Sequence, residues 1–195
     1  MEKLTVLKKE YEIVSLLKEG EFASSYKCSF KGKIFFVKVF KDKPSFLAEL
    51  NNHIQLKKYG IRVPKLIKKD KVYFILVYQF IDGETVLETI IKSELEEQYY
   101  NELFELYRFA RFSKIDLNYF PSNYKLFNGV LYYLSKEFFA SKEETQLENS
   151  GIFYWFYSDD LVKYLKEHDY PVDKKRLLSK GEVNKKIVLT SIMKW

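Results

Sequence analysis

The hydrophobic pattern of this 195-residue chain changes period at Asp82-Gly83, and that change limits the available folds more than any other feature. Residues 11–40 alternate apolar and polar positions in short runs, interrupted at Lys18-Glu19-Gly20 and Lys31-Gly32-Lys33. The pattern predicts a strand meander, with the glycine of Lys31-Gly32-Lys33 supplying a hairpin turn. Ile34–Phe40, rich in β-branched and aromatic residues, reads as a strand. Asp42 or Ser45 can cap a helix running to Tyr59, with Gly60 just past its end. Phe46, Leu47, Leu50, Ile54 and Leu56 form its apolar positions. Pro64 then opens two strands, at 64–68 and 72–80, joined by a turn at Lys69-Asp70-Lys71.

Beyond Asp82-Gly83 the spacing is helical. A short helix is predicted over Glu84–Lys92 and a long one over Glu94–Phe112, with Leu95, Tyr99, Leu103, Leu106 and Ala110 on one stripe. Residues 113–123 read as a loop. Tyr124–Phe127 and Val130–Leu134 flank Asn128-Gly129, the strongest short hairpin signal in the chain. Glu143–Gly151 is polar and reads as a loop, Ile152–His168 as an amphipathic helix broken by Pro171, and Asp173–Lys194 as a basic helical tail. These elements predict an α+β fold in two parts. Residues 1–82 form an N-terminal antiparallel sheet with one helix. Residues 83–195 form a reduced, mostly helical lobe with a hairpin at 124–134.

Composition narrows the classes of function. With 47% hydrophobic residues the chain can bury a core, and no apolar run approaches the length of a membrane span. Met1-Glu2-Lys3-Leu4 lacks the apolar stretch of a secretory signal, and the single cysteine, Cys28, excludes an internal disulfide or a Cys-based zinc site. A cytoplasmic protein is expected. The formal charge of +6 is spread out, with small clusters at Lys65-Leu66-Ile67-Lys68-Lys69 and Lys174-Lys175-Arg176. A nucleic-acid binder concentrates its basic residues on one face, so nucleic acid is an unfavoured partner. The 16 tyrosines and 17 phenylalanines read as packing rather than base stacking.

Four segments stand in a particular order: Gly20-Glu21-Phe22-Ala23-Ser24-Ser25-Tyr26, Phe36-Val37-Lys38-Val39-Phe40, Val77-Tyr78-Gln79-Phe80-Ile81-Asp82-Gly83, and Asn118-Tyr119-Phe120-Pro121-Ser122-Asn123. Over residues 11–138 this order resembles the nucleotide site of the protein-kinase-like superfamily: phosphate loop, strand lysine, hinge and catalytic loop. The nearest likeness is to small atypical microbial kinases such as the RIO and lipopolysaccharide kinase groups. The resemblance implies a minimal two-lobed kinase-like fold that binds ATP and Mg²⁺.

It also implies a role for each matched residue. Gly20 takes the middle glycine of the phosphate loop, with Lys18 and Ala23 where the first and third would stand. Lys38 holds the α and β phosphates and pairs with Glu49 of the following helix. Tyr78 is the gatekeeper, and the Gln79 carbonyl and Ile81 amide meet the adenine edge. In the catalytic loop, Asn118 stands in place of the aspartate base, and Asn123, five residues on, matches the metal-binding asparagine. The hairpin ends at Ser135-Lys136-Glu137, where the family places Asp-Phe-Gly.

These replacements cost the site two chemical groups. The Asn118 amide is neutral and a poor base. Ser135 offers one neutral ligand where Mg²⁺ prefers a carboxylate. Asp116, two residues before Asn118, is a candidate displaced base, and Glu137 a candidate displaced metal ligand; each otherwise reads as a surface carboxylate. His53 and His168 lie far apart and read as ordinary surface or helix residues. The expected function is a nucleotide-binding, kinase-like protein with impaired phosphotransfer, acting on an unknown protein or small-molecule partner. The alternatives are an active serine/threonine or small-molecule kinase, and a basic module that binds nucleic acid and no nucleotide. The kinase readings require Lys38 and Asn123 to share one crevice.

Overall fold

The computed structural model describes residues 2–93, 95–149 and 151–173. Its content is mixed α+β, and the chain divides into two compact units. One comprises Met1–Gln55 with Val63–Asp82, the other Leu56–Arg62 with the residues from Gly83 onward. Among the described residues no helix is long and apolar enough to cross a membrane. Of the basic tail expected over Asp173–Lys194, residues 174–194 lie outside the described residues.

The first unit is a six-stranded antiparallel sheet in the order β1-β2-β3-β4-β6-β5. Its strands are β1 (Lys3–Val6), β2 (Lys9–Glu19), β3 (Ala23–Phe30), β4 (Lys33–Phe40), β5 (Leu66–Asp70) and β6 (Ile75–Gln79). Strand β1 was not expected from the sequence. It is held by a hairpin in which Leu7 and Lys8 both adopt positive φ, without the glycine or asparagine that usually betrays such a turn. The sheet buries residues on both faces. On one, Phe40, Leu76 and Tyr78 pack with Phe46 and Leu50 of the helix α1 (Lys43–Lys58). On the other, Val37, Ile75 and Val77 meet Val6 and Tyr11 of the first two strands, so the sheet curls round far enough to pack its beginning against its end. Tyr11 stacks on Phe30 there at 4.8 Å. Cys28 lies at the same place, fully buried, and burial pushes its thiol up to about 11, which leaves it inert as a nucleophile.

Asp70 sets the far end of this sheet. The turn after β5 falls at residues 71–74 rather than 69–71, because Asp70 belongs to the strand and its side chain folds the residues just beyond it. One carboxylate oxygen accepts the N–H groups of Val72 at 3.0 Å and Tyr73 at 3.2 Å. The other accepts the Leu7 N–H at 2.9 Å, tying the β1–β2 turn to the β5–β6 turn. Burial favours the neutral acid, but these three N–H donors outweigh it and hold Asp70 below its ordinary value of 3.8. A group with a depressed folded pKa stabilises the fold above its unfolded pKa and ceases to do so as pH falls through the folded one. Urea unfolding followed below pH 4 is therefore expected to show a steeper loss of stability for the native chain than for Asp70→Asn. Parallel acid profiles would remove Asp70 from the account.

Helix α1 is capped by Asp42, which accepts the Ser45 N–H at 2.7 Å and the Ser45 hydroxyl at 3.0 Å. It ends in a Schellman closure. Gly60 takes φ +79°, its N–H reaches the Lys57 carbonyl and the Ile61 N–H reaches that of Leu56. A Cβ on Gly60 would also come within 2.9 Å of the Phe109 ring. The buried stripe of α1 is Phe46, Leu50, His53 and Leu56, whereas Leu47 and Ile54 are exposed. His53 is thus a core residue, not the surface residue its polarity suggested, and its ring packs 5.4 Å from that of Tyr78.

The second unit contains α2 (Val86–Lys92), α3 (Glu97–Phe112) and α4 (Asp159–Glu167). It also contains two antiparallel strand pairs, β7 (Ile115–Leu117) with β10 (Phe138–Ala140) and β8 (Tyr124–Phe127) with β9 (Val130–Tyr133). Helix α2 starts two residues later than expected because Thr85 forms a capping box with Glu88. The segment read as a loop holds β7. The segment read as one helix over 152–168 is a 3₁₀ turn, Gly151–Tyr154, followed by α4, whose start is fixed where the Ser158 hydroxyl accepts the Leu161 N–H at 3.1 Å. The Asn128-Gly129 hairpin forms with both residues at positive φ. Fully buried Trp155 sits at the centre. Its indole N–H donates to the Tyr119 carbonyl at 2.7 Å, and its carbonyl accepts the Tyr100 hydroxyl at 2.8 Å. Arg62 reaches Glu102 and Glu105 of α3 at 2.6 and 2.5 Å, while its carbonyl accepts the Tyr133 N–H at 2.8 Å.

Candidate functional site

The candidate residues fall into two clusters, one in each unit. In the first, strand register places Lys38 of β4 between Ser25 of β3 and Leu76 of β6. Alternation along β4 turns Lys38, with Phe36 and Phe40, to the face covered by α1. There the ammonium forms an ion pair with one oxygen of Glu49, in the second turn of α1. The other oxygen accepts the Tyr78 hydroxyl at 3.2 Å. The Glu49 side chain is 11% exposed and that of Lys38 27%, so the carboxylate is enclosed while the ammonium keeps access to solvent. The Lys38 nitrogen also lies 5.3 Å from the centre of the Phe40 ring. Burial, then the adjacent Glu49 charge and the hydrogen bond to it, push the Tyr78 phenol well above its ordinary value, so it stays protonated as a donor.

The rest of the first cluster is backbone. Gly20 opens the three-residue turn between β2 and β3, its N–H closing on the Ala23 carbonyl at 3.0 Å. The exposed Phe22 ends that turn, and its carbonyl accepts the Lys41 N–H at 3.0 Å, which anchors the turn to the end of β4. Gln79 is the last residue of β6, its N–H given to the Lys65 carbonyl at 2.8 Å, and Ile81 is buried just beyond it. The Tyr78 side chain, read from the sequence as a gatekeeper, is buried against Glu49 and His53.

In the second cluster the structure brings Asn118, Ser135 and Glu137 around one phenol, that of Tyr133, and ties Asn123 to Asn118. The Asn118 N–H donates to the Tyr133 hydroxyl at 3.1 Å, and that hydroxyl donates to the Glu137 carbonyl at 2.7 Å. The Asn118 side-chain oxygen accepts the Phe120 N–H at 3.2 Å, closing an Asx turn. The Asn123 amide reaches back to the Asn118 carbonyl at 3.3 Å, and the Asn123 carbonyl accepts the Leu134 N–H at 2.8 Å. The Ser135 hydroxyl accepts the Glu137 N–H at 3.2 Å, leaving the Glu137 side chain exposed. Burial pushes the Tyr133 phenol up to about 12, against the pull of the Ser135 hydroxyl and the Asn118 N–H.

Asp116, the candidate displaced base, is not a surface carboxylate. It is fully buried on β7, one oxygen accepting the Lys142 N–H at 3.0 Å and the Thr145 hydroxyl at 2.8 Å. Its other oxygen has no hydrogen-bond partner among the described residues. A cavity of about 440 Å³ opens beside this cluster, walled by Asn118, Tyr119, Phe120, Phe139, Tyr154 and Tyr164. A larger one, about 650 Å³ along α3, is lined by none of the candidate residues.

The donor set is poor for a divalent metal. Among the described residues no group of three His, Cys, Asp or Glu side chains could hold a metal ion. Asn123, Ser135 and Glu137 supply one carboxylate and neutral oxygens, which suits a Mg²⁺ ion held weakly and mainly by phosphate oxygens that arrive with it. Tyr133 and the Tyr78–Glu49 bond were missed in the sequence. Alternation along β9 marks Leu131 and Tyr133 as the buried pair, but nothing in it says what a buried hydroxyl will meet. No protein-family model and no curated protein matches this chain.

Proposed function

We propose that this protein is a divergent relative of ATP-dependent kinases that binds nucleotide and has lost most of its capacity for phosphotransfer. The carrying observation is the Lys38–Glu49–Tyr78 group, in which an enclosed carboxylate fixes a lysine whose ammonium remains open to an anion. Lys38 binds phosphate oxygens, Glu49 orients it, and Asn123 is the retained metal ligand. The Gln79 carbonyl and Ile81 amide meet the adenine edge, and the turn at Gly20 covers the phosphates. Impaired transfer is favoured over an active kinase because Asn118 is a neutral amide and the nearby carboxylate of Asp116 is buried and already engaged. Glu137 carries an exposed carboxylate and is assigned to a metal rather than to an acceptor hydroxyl. The protein then acts by engaging a partner according to whether nucleotide is bound.

Thermal unfolding with ATP, with and without Mg²⁺, tests this. The expected result is a rise in melting temperature with ATP that depends little on Mg²⁺ and is absent in Lys38→Ala. A rise seen only with Mg²⁺ favours an active kinase. No rise at all, with salt-sensitive binding to DNA or RNA, favours a nucleic-acid module.

A further inference from the structure

The hydroxyl of Tyr133 touches both segments of the second cluster. Its ring is fixed by other means. It is fully buried, it packs 5.1 Å from Tyr124, and its backbone N–H is bound to the Arg62 carbonyl. A phenylalanine would fill the same space, so packing asks for no oxygen there. The oxygen is desolvated, and a desolvated hydroxyl is retained at a cost unless its bonds are made. Here it bonds the backbone of both segments, at Asn118 and at Glu137, with the Ser135 hydroxyl also beside it, so each segment's main chain is positioned against the other through this oxygen. The Asn123 amide on the Asn118 carbonyl, and the Leu134 N–H on the Asn123 carbonyl, carry the same registration to both ends of the loop.

We propose that Tyr133 is the positioning residue of the nucleotide site, setting the Asn118–Asn123 loop in register with Ser135–Glu137 through its buried hydroxyl. The proposal rests on the reading of this protein as a nucleotide binder. It has a particular consequence in this chain. With amide and hydroxyl oxygens where carboxylates would be stronger ligands, attraction cannot correct a displaced oxygen, and placement has to be supplied by the surrounding shell. Neighbouring Tyr124 provides the control. It is equally buried, but its hydroxyl has no hydrogen-bond partner among the described residues.

Tyr133→Phe and Tyr124→Phe are compared with the native chain by residue-resolved amide hydrogen exchange and by ATP titration. In the native protein the Asn118 amide is expected to exchange as slowly as the β8–β9 ladder. In Tyr133→Phe that amide and those of residues 135–138 exchange about 5-fold faster or more, as loss of one hydrogen bond implies. ATP affinity falls about 10-fold, the scale of a lost orienting contact. Tyr124→Phe changes neither. Rapid exchange at Asn118 in the native chain overturns the proposal without any variant. Native ATP affinity in Tyr133→Phe overturns it and leaves the nucleotide reading standing. A native chain that binds no ATP overturns that reading, and the role of Tyr133 with it.

Discussion

Trp155→Ala is expected to destabilise the unit that contains it by about 3–5 kcal/mol, the range for removing a buried tryptophan. The indole is fully buried and meets Tyr124 edge-to-face at 5.1 Å. Its loss also strips the Tyr119 carbonyl, in the middle of the Asn118–Asn123 loop, of its donor. An apolar cavity and an unsatisfied carbonyl arise together, and the two costs add in the same direction. Trp155→Phe separates them, since it keeps most of the ring and loses the N–H. It should cost about 1–2 kcal/mol. Denaturant unfolding followed by circular dichroism measures both. A loss below about 1 kcal/mol for Trp155→Ala would falsify the central place given to this residue.

Glu49→Ala is the second large effect, and it acts on stability and binding together. It leaves the Tyr78 hydroxyl buried without its acceptor and releases the Lys38 ammonium from its fixed position. Lys38 is partly solvated, which discounts the penalty of its lost charge partner. The Tyr78 hydroxyl, in a buried place, loses its carboxylate acceptor, so the expected cost is about 2 kcal/mol. The nucleotide effect is larger in proportion. A lysine free to sample its rotamers must be reordered on binding, and ATP affinity should fall about 10-fold or more, the cost of losing a positioning contact. Glu49→Gln keeps an acceptor for Tyr78 and should recover most of the stability while recovering little of the affinity. If Glu49→Ala binds ATP as the native chain does, Glu49 has no part in presenting Lys38.

The antiparallel sheet, its companion helix and the more helical second part could be read from the sequence because each arises from local periodicity. Turn chemistry could be read where the residue types announce it, as at Asn128-Gly129 and Gly60. It was illegible where the chain uses residues that do not. Leu7 and Lys8 form a left-handed turn by virtue of the strands on either side, and Asp70 moves its turn through a side chain reaching three backbone groups. His53 and Asp116 illustrate a second limit. Polarity predicts exposure on average, but tertiary neighbours decide burial, and neither Tyr78 beside His53 nor Thr145 beside Asp116 is near in sequence. At the candidate site, Lys38 and Glu49 could be paired from a strand and the helix after it. The role of Tyr133 depends on backbone positions, which side-chain motifs do not record.

The bond between the Leu7 N–H and Asp70 spans 63 residues of chain. Closing so long an interval is entropically costly, and nothing rewards it until the intervening strands are in place. The seam therefore completes the first unit rather than nucleating it. Protonation of that one carboxyl group removes the acceptor that both turns share, and so loosens the opening hairpin's cover over Val77.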